Sequence, residues 1–424
     1  SLPLPLPSPA PSSARRPQDS SPRLAIPSKG RMAEDTLQLL RECQLSVYKP
    51  NPRQYVASIP QLPGVEVWFQ RASDVVRKLS YGDVDLGIVG YDMFAEISGA
   101  ALVGGDGDGG GKTAGNGDEE SMIHGDLVIL HDALGFGGCH LGLGVPTGGK
   151  FTDVNTLDQL LSMPDWTPET PLRVVTGYQN VAKAFFEAKG FTSKVALLGA
   201  DGALEAAPLM GCADIILDLV STGVTLRENN LKEIEGGKVL KSQGVLVANK
   251  KALLRDGGAL LDIVHELIER LEAHLKADGY YSVVANMRGA SSRAVADRIL
   301  ACDGLRGLEG PTVSPVFAPR SSDKKSSSSS SPNSADDEGN DGLWAAVICV
   351  PKRRLYDCVK ELRSIGGSGV LVQPMTYIFD EEPARWRSLL KALGKNDYVP
   401  GSSSNGGGNS AVSHSSKATA ASAA

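Results

Sequence analysis

The chain is predicted to be α/β, a two-lobed region followed by a smaller α+β domain. Three observations carry this. Strand and helix patterns alternate from Arg23 to about Val247. A long amphipathic helix then runs from Gly258 to about Ala277, with Leu260, Leu261, Val264, Leu267, Ile268, Leu271 and Leu275 on one stripe. Beyond it, over residues 281–395, strand and helix patterns follow in the order β-α-β-β-α-β, that of a ferredoxin-like domain.

The elements follow in chain order. Residues 1–22 are rich in Pro and Ser, carry Arg15 and Arg16, and cannot bury a core. The composition is compatible with an organellar transit peptide and equally with an ordinary disordered terminus. Leu24–Ile26 reads as a first strand, followed by a loop with Ser28, Lys29, Gly30 and Arg31 and a helix over Met32–Cys43. The loop lacks the GxxxxGK[ST] spacing of a P-loop. Val65–Gln70 reads as a strand, Ser73–Tyr81 as a helix, and Val84–Val89 as an apolar strand ending at Gly90-Tyr91-Asp92. Ligands in open α/β sheets bind beyond the carboxyl ends of strands. Lys29, Arg71 and Asp92 each follow a predicted strand and are therefore placed at one edge.

Residues 103–120 are a Gly- and Asp-rich insert with no expected structure. LGFGGC leads into a strand over His140–Val145 and reads as a turn or a hinge between lobes. Leu172–Val175 is a strand followed by TGYQN, and Val181–Lys189 a helix closed by Gly190. Val195–Leu198 is a strand, after which GADGALEAAPLMG is expected to open a helix with Glu205 near its start. Within the second domain an insert over 321–342 is expected to lack structure, and the chain after Asn396 reads as a tail.

Composition narrows the function. The chain has 424 residues, enough for two or three domains, and 41% hydrophobic content supports real cores. Net charge is −6 with no basic stripe, which argues against nucleic acid as a main partner. Six cysteines show no CxxC spacing and read as buried free thiols. No apolar run reaches the roughly 20 residues that cross a bilayer.

One stretch stands out chemically: ADIILDLVSTGVTL, Ala213–Leu226. A strand over Ile215–Leu217 runs into Asp218. Ser221, Thr222, Gly223, Val224 and Thr225 then lead toward a helix. Unpaired N–H groups at such a turn, with small residues around them, can hold a phosphate, and Asp218 would face the attached sugar. The same residues also suit an ordinary helix N-cap. The other candidates have equally plain alternatives. Lys29 can be a solvated loop charge, Arg71 can pair with Asp74, Asp92 can cap a helix, and Glu205 can serve a helix dipole.

Read together, DLVSTGVTL, GALEAAPLMGCADIILDLV, PSKGRM, DLGIVGYD and the FGGC turn closely resemble the ATP phosphoribosyltransferase family. YYSVVANMRGASSRAV, GPTVSPVF and WAAVICVPKRRLYDCVKELRSIGGSGVLVQPM resemble the C-terminal regulatory domain of its long form. The resemblance implies a type II periplasmic-binding-protein-like catalytic region over residues 23–280. It implies transfer of 5-phosphoribosyl from PRPP to N1 of ATP with Mg2+ present, in the first step of histidine biosynthesis. Carried over, Asp218 and Glu205 would be catalytic and hold the PRPP ribose, and Ser221, Thr222, Gly223, Val224 and Thr225 the 5-phosphate. Lys29, Arg71 and Asp92 would line the ATP and pyrophosphate side. L-Histidine would inhibit from sites near Thr312 and Gly369, in a homo-hexamer, and the N-terminus would point to a plastid. No metal ligands are assigned. The alternative is a non-catalytic two-lobed protein that binds a small anion or amino acid and carries a sensor domain.

Overall fold

The computed structural model describes residues 21–99, 122–200, 202–255, 258–317 and 342–401. The segment before residue 21, the inserts 103–120 and 321–341, and the tail beyond residue 401 lie outside the described residues. The described chain divides into two compact units. The first runs to Ile268 and resumes at Pro383; the second is Glu269–Glu382.

The first unit contains two sheets. Its elements begin with β1 (Arg23–Pro27), α1 (Arg31–Glu42), β2 (Val56–Ser58), β3 (Glu66–Gln70), α2 (Ala72–Tyr81), β4 (Leu86–Gly90) and α3 (Tyr91–Ser98). They continue with β5 (Ile123–His124), β6 (Leu127–His131), β7 (Cys139–Pro146), α4 (Leu157–Leu161), β8 (Leu172–Thr176), α5 (Gln179–Ala188) and β9 (Val195–Gly199). Then come β10 (Ile215–Val220), α6 (Val224–Glu228), β11 (Leu231–Ser242), β12 (Gly244–Asn249), α7 (Lys250–Leu253) and α8 (Ala259–Asp278), whose residues after Ile268 belong to the second unit.

The first sheet has the order β2-β3-β1-β4-β12-β6-β5 and the second β11-β7-β10-β8-β9. Both are mixed. β3, β1 and β4 run parallel, and so do β10, β8 and β9, while β12 and β7 are antiparallel to their neighbours. β1 and β4 are continuous apolar runs because helices cover both of their faces. The chain crosses from the first sheet to the second between His131 and Cys139, and returns between Ser242 and Gly244. The crossovers bind each other: Gly244 N donates to Phe136 O at 2.9 Å, and Leu134 N to Gly244 O at 3.1 Å. LGFGGC is thus one of two strands of a hinge.

The second unit continues α8 into β13 (Tyr280–Gly289), α9 (Ser292–Leu300), β14 (Thr312–Pro315), β15 (Gly342–Pro351), α10 (Leu355–Ser364) and β16 (Ser368–Pro374). Its antiparallel sheet has the order β14-β15-β13-β16, the ferredoxin-like arrangement. Val283, Ala285, Met287, Ala346, Ile348 and Val350 pack against Val295, Ile299, Cys358 and Leu362 of the helices.

Five expectations change. The GALEAAPLMG stretch makes only a 3-10 turn, Leu204–Ala206, preceded by Ala203 at φ 52°. Asp218 lies inside β10, which runs on to Val220, rather than after a strand. A last helix, α11 (Ala384–Ala392), packs on the first unit with Trp386, Leu389 and Leu390 buried, where the sequence extended the second domain to residue 395. Tyr398, read as tail, donates its hydroxyl to Gly258 O at 2.8 Å and Asp262 at 2.9 Å. No disulfide joins the six cysteines, all of them described residues, but only Cys43 and Cys358 are buried and Cys212 is exposed. Among the described residues no helix is long and apolar enough to cross a membrane.

Candidate active site

Each sheet presents one set of expected site residues at the carboxyl ends of its parallel strands. In the first, Lys29 follows β1 and Arg71 follows β3, on adjacent parallel strands tied by Ser28 N donating to Gln70 O at 2.8 Å. Both side chains are on exposed residues. Gly30 at φ 74° turns the chain into α1. Arg71 is the N-cap residue of α2, and the pairing it was offered is taken: Asp74 lies 3.6 Å from Arg77.

In the second sheet, Tyr178 follows β8, Glu205 follows β9, and Ser221–Thr225 follows β10. The turn from Ser221 to Thr225 is exposed apart from the half-buried Gly223, which has φ 68°. Only glycine takes that conformation without strain. No side chain caps α6, so the expected cap contact is not made. Leu226 is buried beneath the turn and anchors it.

Asp218 accepts from Leu219 N at 2.8 Å. Burial pushes its carboxyl above the ordinary aspartate range. The Leu219 N–H opposes that rise, and the charge of Glu205 adds to it. Asp218 stands opposite Gly142 of β7 in register. A Cβ there would come within 3.1 Å of Glu233 Oε1 and 3.3 Å of His140 Cδ2, so the glycine keeps a clearing between Asp218 and that pair. His140 Nε2 and Glu233 Oε1 are 2.5 Å apart. Arg227 Nη1 reaches Thr222 O at 3.4 Å beside the same turn.

Asp92 stands apart from the other expected residues. It is 7% exposed. Its Oδ1 accepts from Ser242 Oγ at 2.5 Å and its Oδ2 from Tyr178 OH at 2.9 Å, while its own N–H donates to Ser242 Oγ at 2.9 Å. Both carboxylate oxygens are engaged inside the protein, at the seam between the sheets. The carboxylate expected on the nucleotide side is turned inward, where the hydroxyls of Tyr178 and Ser242 meet it. Burial, then Asp92, pushes the Tyr178 phenol far above its ordinary range, so the hydroxyl is a donor at all physiological pH values.

Thr312 begins β14 and Gly369 (φ 57°) lies in β16, the two outer strands of the four-stranded sheet. Three strand spacings separate them, about 14 Å. One copy of the domain does not bring them together.

Tyr178, Glu96, Ser242, His140 and Glu233 were not assigned from sequence. Tyr178 had a usable signal, since TGYQN follows a predicted strand at the same edge as Ser221. The others carried none, because each sits inside a strand or helix pattern that explains it fully. Among the described residues no group of three acids, histidines or cysteines could hold a metal by itself.

The family model described as ATP phosphoribosyltransferase matches residues 71–273, and that of the HisG C-terminal domain matches 277–377. The chain is 52% identical over 372 residues to ATP phosphoribosyltransferase 1, chloroplastic, of Arabidopsis thaliana, covering 88% of this chain and 81% of that protein. It is equally 52% identical to ATP phosphoribosyltransferase 2, chloroplastic, of the same plant, covering 88% and 80%. It is 28% identical to the ATP phosphoribosyltransferase of Bradyrhizobium sp., covering 87% of this chain and 98% of that one. The two plant relatives are chloroplastic by name, which supports the expected plastid location. The match sets aside the alternative of a non-catalytic binding protein. The chain belongs to the ATP phosphoribosyltransferase family, whose members are enzymes of the first step of histidine biosynthesis.

Proposed function

We propose that this chain transfers the 5-phosphoribosyl group of PRPP to N1 of the adenine of ATP and releases pyrophosphate. The carrying observation is the clustering of Asp218, its like-charged neighbour Glu205 and the uncapped Ser221–Thr225 turn at one strand edge. The turn's N–H groups and hydroxyls suit the 5-phosphate. Asp218, kept short of full solvation, suits the ribose hydroxyls, which donate to a carboxylate. Glu205 takes the same side. Lys29 and Arg71, at the edge of the other sheet, suit the triphosphate and the departing pyrophosphate.

C1 of PRPP gains cationic character as the pyrophosphate bond breaks, and the N1 lone pair of adenine forms the new bond. N1 carries no proton at neutral pH, so no general base is required. The work left to the protein is alignment and charge placement. Mg2+ is the ion this chemistry calls for. Two neighbouring acids, Asp218 and Glu205, suit an ion that takes one or two carboxylates plus substrate oxygens. When bound, it would offset the charge of the leaving pyrophosphate.

The test is direct. Protein mixed with ATP, PRPP and Mg2+ should form the N1 adduct and pyrophosphate, and Thr222→Ala or Asp218→Ala should lose most turnover while folded. Well-folded protein that forms no adduct at any Mg2+ level refutes the reading. We also propose that L-histidine inhibits through the second unit, in a homo-hexamer. Since Thr312 and Gly369 lie on opposite outer strands, a site using both needs two copies of the domain. Turnover that stays flat up to millimolar histidine, or a monomer in sedimentation, counts against this part.

A further inference from the structure

The two substrate edges belong to different sheets, so the reaction depends on how the sheets are held against one another. α3 follows β4 at the first sheet and carries Asp92 and Glu96 four residues apart, hence on one face. Both are buried, Asp92 at 7% and Glu96 at 9% exposure. Both are satisfied by the far side of the hinge. Glu96 Oε1 accepts from Asn180 N at 3.0 Å and Oε2 from Val181 N at 3.0 Å, and Asn180 Nδ2 donates to Glu96 O at 2.9 Å.

Asn180 and Val181 are the second and third residues of α5. Their N–H groups have no intrahelical partner, and the α5 N-cap residue, Tyr178, supplies no side-chain cap. The helix is therefore capped by a carboxylate from the other sheet's helix. The bonds are charge-assisted and the carboxylate sits against the positive end of the α5 dipole. One turn back along α3, Asp92 takes the hydroxyl of Tyr178 itself. A second contact runs through the return crossover, where Tyr91 N donates to Gln243 O at 2.9 Å beside the Ser242–Asp92 pair.

We propose that α3 is the alignment latch of the catalytic unit and that Glu96 is its positioning residue. It docks the first sheet onto the N-terminus of α5 and so sets the ATP edge against the PRPP edge. Glu96 touches neither substrate. Each substrate meets residues of its own sheet, and what Glu96 governs is their relative placement. The inference rests on the reading that ATP and PRPP bind at opposite edges.

That division fixes the kinetic signature. Displacing reacting atoms by an ångström can cost about 100-fold in rate. In the full chain, Glu96→Ala is expected to lower kcat about 10- to 100-fold, with KM for ATP and for PRPP each within about twofold of wild type. Glu96→Gln, which keeps one accepting oxygen, should retain more kcat than Glu96→Ala. Unchanged kcat in folded Glu96→Ala, or a rise in either KM at unchanged kcat, overturns the proposal. Should Glu96→Ala fail to fold, Asn180→Ala removes the side-chain contact alone and is held to the same kcat-against-KM criterion. Amide exchange reads the latch without turnover, so it separates failure of the latch from failure of the transferase reading. Asn180 and Val181 amides should exchange at least tenfold faster in Glu96→Ala, and unchanged exchange there also overturns the proposal.

Discussion

His131 at the end of β6 should set the acid limit of the first unit. It is 2% exposed, and burial, reinforced by the Arg385 guanidinium and opposed by Asp132, brings its pKa from 6.5 down to about 3. Its Nδ1 accepts from Ala133 N at 3.2 Å, which requires the neutral ring. A histidine held neutral in the folded state and free to charge in the unfolded one costs stability as pH falls below 6.5, until the folded form also protonates near 3. From pH 7 to pH 5 the loss is about 2 kcal/mol, since each pKa unit is worth about 1.4 kcal/mol. Asn at this position can keep an accepting oxygen and cannot titrate. Exchange of the slowest β6 and β12 amides, which reports unfolding of the first unit alone, should show wild type losing about 2 kcal/mol more than His131→Asn between pH 7 and pH 5. Parallel losses in the two proteins would mean that His131 already carries its proton in the folded state and that the buried-neutral assignment is wrong.

Other outcomes follow from the site. Burial and the Glu205 charge raise the Asp218 carboxyl, so PRPP binding, which uses the ionised form, should weaken on acidification at a pH above the ordinary aspartate range. Asp218→Asn should lose turnover, lose that acid limb in kcat/KM for PRPP, and unfold no more easily than wild type at pH 7; an unmoved limb assigns the titration elsewhere. Gly144→Ala would set a methyl 2.7 Å from Ile216 Cγ1 and 3.0 Å from Leu226 Cδ2. The crowding should cost about 1–3 kcal/mol and lift the Ser221–Thr225 turn, raising KM for PRPP more than KM for ATP. Gly223→Ala forces alanine to φ 68° and brings its methyl to 3.2 Å from Arg227 Nη1. Again PRPP affinity should fall while ATP affinity holds, and equal effects on both substrates would detach the turn from PRPP.

How much of this was legible in the sequence differs residue by residue, and the reasons are physical. β1, β4 and β10 were readable because strands covered on both faces are continuous apolar runs bounded by polar turns. The strand-end positions of Lys29 and Arg71 were readable because parallel strands deliver whatever follows them to one edge, and the Ser221–Thr225 turn because small hydroxyl residues and a glycine stand between a strand and a helix. Asp92 shows what that ground leaves open. It follows β4 as predicted, yet position along the chain does not say which way a side chain turns, and the decision lay with Tyr178 and Ser242, 86 and 150 residues away. Glu96 is harder still. An acid in the middle of an amphipathic helix reads as a solvated charge, and its capping of α5 exists only once two sheets have met. α11 shows the same limit at the scale of domains. The sequence ran the second domain to residue 395, and the return to the first unit is carried by Trp386 meeting His265, a contact across more than a hundred residues, with Tyr398 packing beside it. The proposed substrate edges are therefore local features of strand ends, readable one sheet at a time. Their mutual placement is a tertiary feature, carried by the buried carboxylates of α3. On the proposed roles, a variant that keeps every edge residue and alters this helix should lose activity, because PRPP and ATP would each bind and fail to meet.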